Sequence, residues 1–292
     1  MKCLLIINPR SGKMKIQNEL VYVIQLLNEY GYEVVVEITR YHNHAIELVK
    51  SASYFDLIIC SGGDGTLNQT VSGVVSSGYK GLVGYIPTGS VNDFASTLKL
   101  NKDIIYATSD ILMGKAVKLD VGQFNDKYFS YVASCGIFTR VAYETNQDIK
   151  NIFGRLAYMF EGMKDLADLK TNHLRIETSD GIYEDDYIFT AICNANRIGG
   201  MLKLDQNIVD LSDGLFELLT IKMPRTLIEL KDIIKALQTK DYSCDLVEFH
   251  SISEAKIYSD KNTSWTLDGE FMEGSEVINI KSLNRVINFI IP

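Results

Sequence analysis

Four short runs, at residues 4–7, 34–38, 57–60 and 82–86, are apolar and β-rich almost throughout, and a stretch with helical periodicity separates each from the next. Strands that stay apolar along their length are buried on both faces, as the strands of a parallel sheet are. Ile16, Leu20, Val23 and Leu27 recur at helical spacing and stop at Gly31, a favourable helix C-cap. Ala45, Leu48, Val49 and Ala52 make a second stripe, and Leu67, Val71, Val74 and Val75 a third. Strand and helix alternating in this way predict an α/β domain built on a doubly wound, mainly parallel sheet with helices on both faces.

Beyond about residue 120 the texture changes. Strand-like runs at 128–133, 174–178, 187–193, 216–222, 255–258, 265–267, 277–280 and 286–291 follow one another. Several alternate apolar with polar residues, as in Glu276-Val277-Ile278-Asn279-Ile280, which suits antiparallel strands with one wet face. Two helical stripes interrupt them: Leu156, Met159, Met163, Leu166, and Leu227, Leu230, Ile234, Leu237. At 292 residues the chain can bury two cores. The expected division is an α/β domain over 1–120 and a mainly antiparallel, sandwich-like β domain with two helices over 121–284.

Charge and cysteine usage exclude several classes. With 29 basic against 37 acidic side chains the chain carries a formal charge of −8, the wrong sign for general nucleic-acid binding. No run approaches the ~18–20 apolar residues of a membrane span, and the opening apolar run, broken by Asn8-Pro9, is too short for a signal-peptide core. Cys3, Cys60, Cys135, Cys193 and Cys244 are an odd number with no CxxC pair. They predict free thiols in a reducing compartment, hence a cytoplasmic protein.

In a parallel sheet the strands all end on one edge, and ligands bind there. Three polar, glycine-bearing loops fall on that edge: Asn8-Pro9-Arg10-Ser11-Gly12-Lys13 after the first strand, Ser61-Gly62-Gly63-Asp64-Gly65-Thr66-Leu67-Asn68 after the third, and Pro87-Thr88-Gly89-Ser90-Val91-Asn92-Asp93 after the fourth. Thr39 and Arg40 end the second strand at the same edge. Glycine permits positive φ and close approach to backbone N–H groups, and such groups opening into a helix N-terminus make a phosphate site. The Walker A pattern fails because Ile7 stands where its first glycine should be and Met14 follows Lys13. The dinucleotide fingerprint fails at Asn68, with no acidic residue from 65 to 92 to take a ribose. There is no G-x-S-x-G elbow, and His42, His44, His173 and His250 have no zinc spacing.

Gly62-Gly63-Asp64-Gly65-Thr66 followed by Leu67-Asn68 resembles the signature of the diacylglycerol kinase catalytic domain, whose superfamily includes sphingosine kinases and, more distantly, NAD kinases and 6-phosphofructokinases. Asn8-Pro9 with Ser11-Gly12-Lys13 resembles the N-terminal loop of lipid kinases. Pro87-x-Gly89-Ser90-x-Asn92-Asp93-Phe94-Ala95 resembles their P-x-G-T-x-N-D-F-A motif, which NAD kinases lack. The likeness continues through Leu119-Asp120-Val121-Gly122, Asp213-Gly214 and Asp268-Gly269-Glu270, and is greatest to the soluble bacterial diacylglycerol kinases. It implies a two-domain lipid kinase using ATP and Mg²⁺, with the C-terminal residues from about 285 to 292 returning to the first domain. The nucleotide would be held by Asn8, Ser11, Gly12, Lys13, Thr39, Gly62, Gly63, Asp64, Gly65, Thr66, Leu67, Asn68, Thr88, Gly89, Ser90 and Asn92. Asp64, Asp93 and Asp120 match acidic positions that organise Mg²⁺ and water. Asp213, with the carbonyls of Asp210 and Leu215, matches a second, structural Mg²⁺ site. Glu270 matches the general base, and a homodimer is the family expectation.

Several of these residues also have plain structural readings. Asp64 in a glycine turn satisfies backbone N–H groups, Asn92-Asp93 reads as a helix N-cap, Asp120 as a turn cap, Asp268-Gly269 as a two-residue hairpin turn, and Lys13 as a solvated helix-start lysine. The sequence departs from the family at Gln69, commonly Glu, at Gly199-Gly200-Met201, commonly a glycine triplet, and at Asp205, commonly Pro. The last two fall where the acceptor should bind and bear on lipid identity more than on the kinase reaction. The leading expectation is transfer of the ATP γ-phosphoryl group to diacylglycerol at the membrane surface. The alternatives are a sphingoid base or phospholipid headgroup as acceptor, then an NAD kinase, then a non-catalytic nucleotide- or lipid-binding protein. Lys99, Lys102, Lys150, Arg155 and Lys164 are candidates for a basic contact with anionic lipid at the inner membrane face.

Overall fold

The computed structural model describes residues 1–137, 170–195, 197–198, 202–203 and 209–292, with backbone alone at 13, 14, 197, 198, 202 and 203. The stripe at 156–166, the cations Lys150, Arg155 and Lys164, and the departures at 199–201 and 205 lie outside the described residues or their side chains. The chain divides into two compact units: Met1–Val121 with Lys127–Ser130 and Leu283–Pro292, and Gly122–Asp126 with Tyr131–Ser282.

In the first unit, strands β1 (Lys2–Ile7), β2 (Glu33–Ile38), β3 (Leu57–Gly62) and β4 (Leu82–Pro87) form a parallel sheet in the order β4-β3-β1-β2. β1 and β3 are buried almost end to end, as their uninterrupted apolar sequences require. Their side chains alternate between two covers. Leu5, Ile7, Leu57, Ile59 and Ile86 pack with Val23 and Leu27 of α1 (Ile16–Glu29) and with Ala107 and Ile111 of a further helix at Ile104–Met113. α2 (His44–Lys50) and α3 (Asp64–Ser77) pack together, so closely that a Cβ on Gly73 would lie 2.7 Å from Val49 Cβ. The short α4 (Asp93–Thr97) follows β4, and the helix at Ile104–Met113 is α5.

α5 is absent from the sequence reading, although its signals are present. Asp103 caps it by accepting from the N–H groups of Ile105 and Tyr106, and Gly114 ends it. The helix is apolar on more than one face, so its stripe is hard to separate from a strand run.

The second unit is antiparallel in every described strand pair. β7 (Val132–Gly136), β8 (Asn172–Thr178), β9 (Ile182–Cys193), β12 (Phe216–Lys222), β13 (Val247–Ile252), β14 (Glu254–Tyr258), β15 (Trp265–Leu267) and β16 (Glu270–Met272) run in the order β16-β15-β7-β9-β8-β14, with β12 and β13 beside β9. β10 (Arg197–Ile198) and β11 (Leu202–Lys203) pair with each other. The helix α6 (Leu227–Thr239) buries Leu230, Ile233, Ala236 and Leu237.

Two details differ from the sequence expectation. The run at 128–133 is two strands, β6 (Lys127–Phe129) and β7, because the N–H groups of Tyr131 and Val132 donate to the Asp268 carboxylate. The runs at 277–280 and 286–291 are instead one strand, β17 (Val277–Ile291). Its first half pairs antiparallel with β14 in the second unit, and Asn288 and Phe289 pair parallel with β4 in the first.

Candidate functional site

β1 lies between β2 and β3. The chain leaves β1 through α1 toward β2, and leaves β3 through α3 toward β4, on the other side. The strand order therefore switches between β1 and β3, and a crevice opens outside the carboxyl ends of such a pair. The turns after β1 and β3 are the two glycine-bearing segments at 8–13 and 62–66.

Hydrogen bonds draw these turns and the one after β4 together. The Asn8 N–H donates to the Ser61 carbonyl at 2.9 Å, and the Asn8 amide donates to Thr66 Oγ1 at 2.8 Å. The N–H groups of Thr88 and Gly89 donate to the Gly62 carbonyl at 2.8 and 3.1 Å. The Asp93 N–H donates to Asp64 Oδ2 at 3.1 Å, linking the starts of α4 and α3. Asp64 stands in the first turn of α3, behind Gly63 as N-cap, where a carboxylate also complements the helix dipole. Asn92 is the N-cap residue of α4, but its side chain makes no cap bond; its amide turns back to the Gly89 carbonyl.

The glycines serve two purposes. Gly12 takes φ 55°, and a Cβ there would collide with the Thr88 carbonyl. Gly62 and Gly89 have no positive φ and are required by space. A Cβ on Gly89 would meet Gly63 Cα at 2.5 Å, and one on Gly62 would meet Thr66 Cβ at 2.5 Å. Beside these turns a cavity of about 450 Å³ is lined by Lys15, Asn18, Thr88, Ser90, Asn92 and Lys102 among others. The hydroxyls of Ser61 and Thr88 are buried and have no hydrogen-bond partner among the described residues. Side-chain-free cradles, orphan hydroxyls and adjacent carboxylates fit a polyphosphate with a hard cation, which binds through oxygen ligands and water.

The remaining predicted residues of this unit are placed as follows. Ser11 and Gly12 begin a 3₁₀ turn that continues through Lys13, whose side chain lies outside the described residues. Gly65 and Leu67 lie in the first turn and a half of α3, and Leu67 is buried. The Asn68 amide donates to the Tyr128 carbonyl at 2.9 Å. Thr39 follows β2 directly, and its N–H donates to the Ile7 carbonyl. Asp120 is buried within β5 (Lys115–Phe124) and caps no turn there, and its Oδ1 accepts from the Arg285 N–H at 2.6 Å.

In the second unit, Asp268 and Gly269 take φ 50° and 84° and close a two-residue hairpin between β15 and β16. Asp268 is buried and its Oδ1 accepts from Tyr131 and Val132 N–H at 2.9 and 3.0 Å. Glu270, the next residue but one, is exposed at the start of β16. Asp210 Oδ1 accepts from the N–H and hydroxyl of Ser212, and Asp213 Oδ1 from the Leu215 N–H at 2.8 Å.

The sequence reading missed Glu217, a carboxylate only 2% exposed in the apolar run of β12. Burial, then the charges of Asp213 and Asp210, push its acid up to about 8. A lone Glu in a run of strand hydrophobes was its signal. No group of three or more His, Cys, Asp or Glu side chains forms a metal cage among the described residues. No helix among them is long and apolar enough to cross a membrane.

The diacylglycerol kinase catalytic domain family matches residues 2–124, a span that ends in β5 and contains all three turns. A diacylglycerol kinase of Bacillus subtilis (strain 168) is 30% identical over an alignment of 293 positions that covers 99% of this chain and 95% of that one. This chain belongs to the diacylglycerol kinase family. A diacylglycerol kinase of Staphylococcus aureus (strain MRSA252) is 31% identical over 291 residues, 99% of this chain and 91% of that one. Two solved structures from Bacillus anthracis str. Sterne share the fold, at TM-scores of 0.81 and 0.74 and 21% and 20% identity, each over 100% of this chain and 97% of the other. The second of them is a diacylglycerol kinase. Membership makes the chain a lipid kinase with an α/β first unit and an antiparallel β second unit. Within the family's motif region Gln69, commonly Glu, approaches His42 Nδ1 at 3.5 Å.

Proposed function

We propose that this member of the diacylglycerol kinase family transfers the γ-phosphoryl group of ATP to a lipid hydroxyl at a membrane surface, with diacylglycerol as acceptor and phosphatidic acid as product. The observation that carries the reading is the meeting of the turns after β1, β3 and β4 at the switch point, packed so closely that a side chain at Gly12 or Gly89 would run into the backbone of the neighbouring turn. Backbone N–H groups of 62–68 and the first turn of α3 bind the phosphates, with Asn8, Ser11, Gly12, Lys13, Thr39 and residues 88–90 and 92 around them. Asp64, Asp93 and Asp120 would organise Mg²⁺ through oxygen ligands and water, and Asp213 with the carbonyls of Asp210 and Leu215 would hold a second Mg²⁺. When bound, the metal supplies charge neutralisation on the transferring phosphoryl group.

Glu270 accepts the proton of the lipid hydroxyl as that oxygen bonds to the γ-phosphorus and the bond to the β–γ bridging oxygen breaks, releasing ADP. Its support is geometric: an exposed carboxylate follows a hairpin turn that buried Asp268 fixes in place. The deciding assay offers γ-labelled ATP and Mg²⁺ with diacylglycerol, sphingosine, a phospholipid and NAD in parallel. Label migrating as phosphatidic acid is expected. Label in another lipid replaces the acceptor, and label confined to NADP or absent from every product overturns the reading.

A further inference from the structure

Tyr85 belongs to none of the motifs that carry the family likeness, yet its side chain joins two of the site's three turns. It lies in β4, 1% exposed, and its hydroxyl stands 3.2 Å from the Gly62 carbonyl and 3.2 Å from Asn92 Oδ1. One O–H proton is therefore shared between two acceptors, one from the turn after β3 and one from the turn after β4. The Gly89 N–H closes the circuit, since it too faces both acceptors, at 3.1 and 3.0 Å. The Asn92 amide returns to the Gly89 carbonyl at 2.8 Å, which holds Asn92 at φ 55°. Burial first, and then the Asp64 and Cys60 charges, raise the phenol well above its ordinary value, so the hydroxyl remains a donor.

We infer that Tyr85 is a positioning residue: its buried hydroxyl ties the 62–63 turn to the 87–92 turn, so that the phosphate cradle is formed before nucleotide arrives. This rests on the nucleotide reading of the same turns. The physical consequence is preorganisation. A cradle held in its binding geometry by buried hydrogen bonds need not be ordered by the ligand, so the tie appears in nucleotide affinity rather than in the chemical step. Tyr85→Phe keeps the ring in its packing and leaves the Gly62 carbonyl and Asn92 Oδ1 with only the Gly89 and Thr88 donors among the described residues.

Tyr79 supplies a matched control. Its hydroxyl also donates to a backbone carbonyl, that of Phe55 at 3.1 Å, and it too is buried in the first unit. Phe55 precedes β3, and Tyr79 follows α3 and precedes β4, so this bond lies at the opposite edge of the sheet from the turns.

The experiment compares Tyr85→Phe and Tyr79→Phe by thermal melting, steady-state kinetics in ATP, titration with a non-hydrolysable ATP analogue, and amide hydrogen exchange over 60–66 and 86–93. Tyr85→Phe is expected to raise KM for ATP and weaken analogue binding about fivefold, with kcat within twofold, the size a lost buried hydrogen bond gives. Exchange at the two turns rises as well. Tyr79→Phe lowers the melting temperature comparably and leaves KM, analogue binding and exchange at the turns unchanged. The inference is overturned if exchange at the turns is unaltered in Tyr85→Phe, or if Tyr79→Phe changes KM and exchange equally. If the wild-type chain neither binds the analogue nor turns over ATP, the nucleotide reading fails, while exchange still decides whether the tie exists.

Discussion

Asp268 and Glu270 stand two residues apart in opposite surroundings. Asp268 is buried and accepts two amide protons with one oxygen, so its carboxylate fixes backbone; Glu270 is exposed, as the base role proposed for it requires. Glu270→Gln is expected to lower turnover by roughly 10²–10⁴ with ATP-analogue affinity and melting temperature near wild type. Asp268→Ala strands two buried N–H groups and is expected to lower stability by about 1–3 kcal/mol, read by denaturant titration. Near-wild-type turnover in Glu270→Gln removes it from the base role. The sequence showed that Asp268-Gly269 suits a hairpin turn, and the resemblance pointed to Glu270. It did not show that residues 131 and 132 are the partners of Asp268, because a contact across more than 130 positions leaves no local trace. Tyr85 was hidden for the same reason: in the sequence it is one more residue of an apolar strand.

At the scale of elements, local chemistry was legible where the apolar stripe was distinct, and α5, apolar on more than one face, is the exception. β1 to β4 and α1 to α3 begin and end within a few residues of their apolar runs and stripes. α6 carries its own start signal: Thr226 Oγ1 accepts from the Glu229 N–H at 3.2 Å while the Glu229 carboxylate accepts from the Thr226 N–H, a capping box. Thr226→Ala is expected to cost about 1 kcal/mol of stability, a drop in midpoint by circular dichroism, without changing nucleotide affinity. Elements bounded by distant partners were misread. The break between β6 and β7 is imposed by Asp268. The continuity of β17 passes through Arg285 in a left-handed conformation, φ 53°, whose N–H is held by buried Asp120. Neither partner is near in sequence, so periodicity alone could join one pair of segments and divide the other.

Across the whole molecule the five thiols test the packing of both cores. Cys3, Cys60, Cys135 and Cys193 are buried, and burial raises all four; the first two reach about 12 from an ordinary 9.0. Cys244 is half-buried. At pH 8 a disulfide reagent is therefore expected to titrate one thiol, Cys244, in the native chain and five in denaturant. Two or more rapid native thiols contradict the packing described. The sign of the pH effect follows from the raised values: the folded state keeps these thiols protonated, so their contribution to stability is constant below about pH 9 and falls as pH rises toward 12.

The sequence by itself determined β1 to β4 and α1 to α3 of the first unit, the α/β and antiparallel classes, and the three glycine-bearing turns, because periodicity, turn chemistry and short motifs are properties of neighbouring residues. Tertiary structure decided the strand order that brings the turns after β1 and β3 side by side, the Tyr85 hydroxyl between two of them, and the anchoring of Asp268 and Arg285. These depend on which distant segments meet, and hydrogen bonds between such segments are fixed only once burial has excluded water as the competing partner.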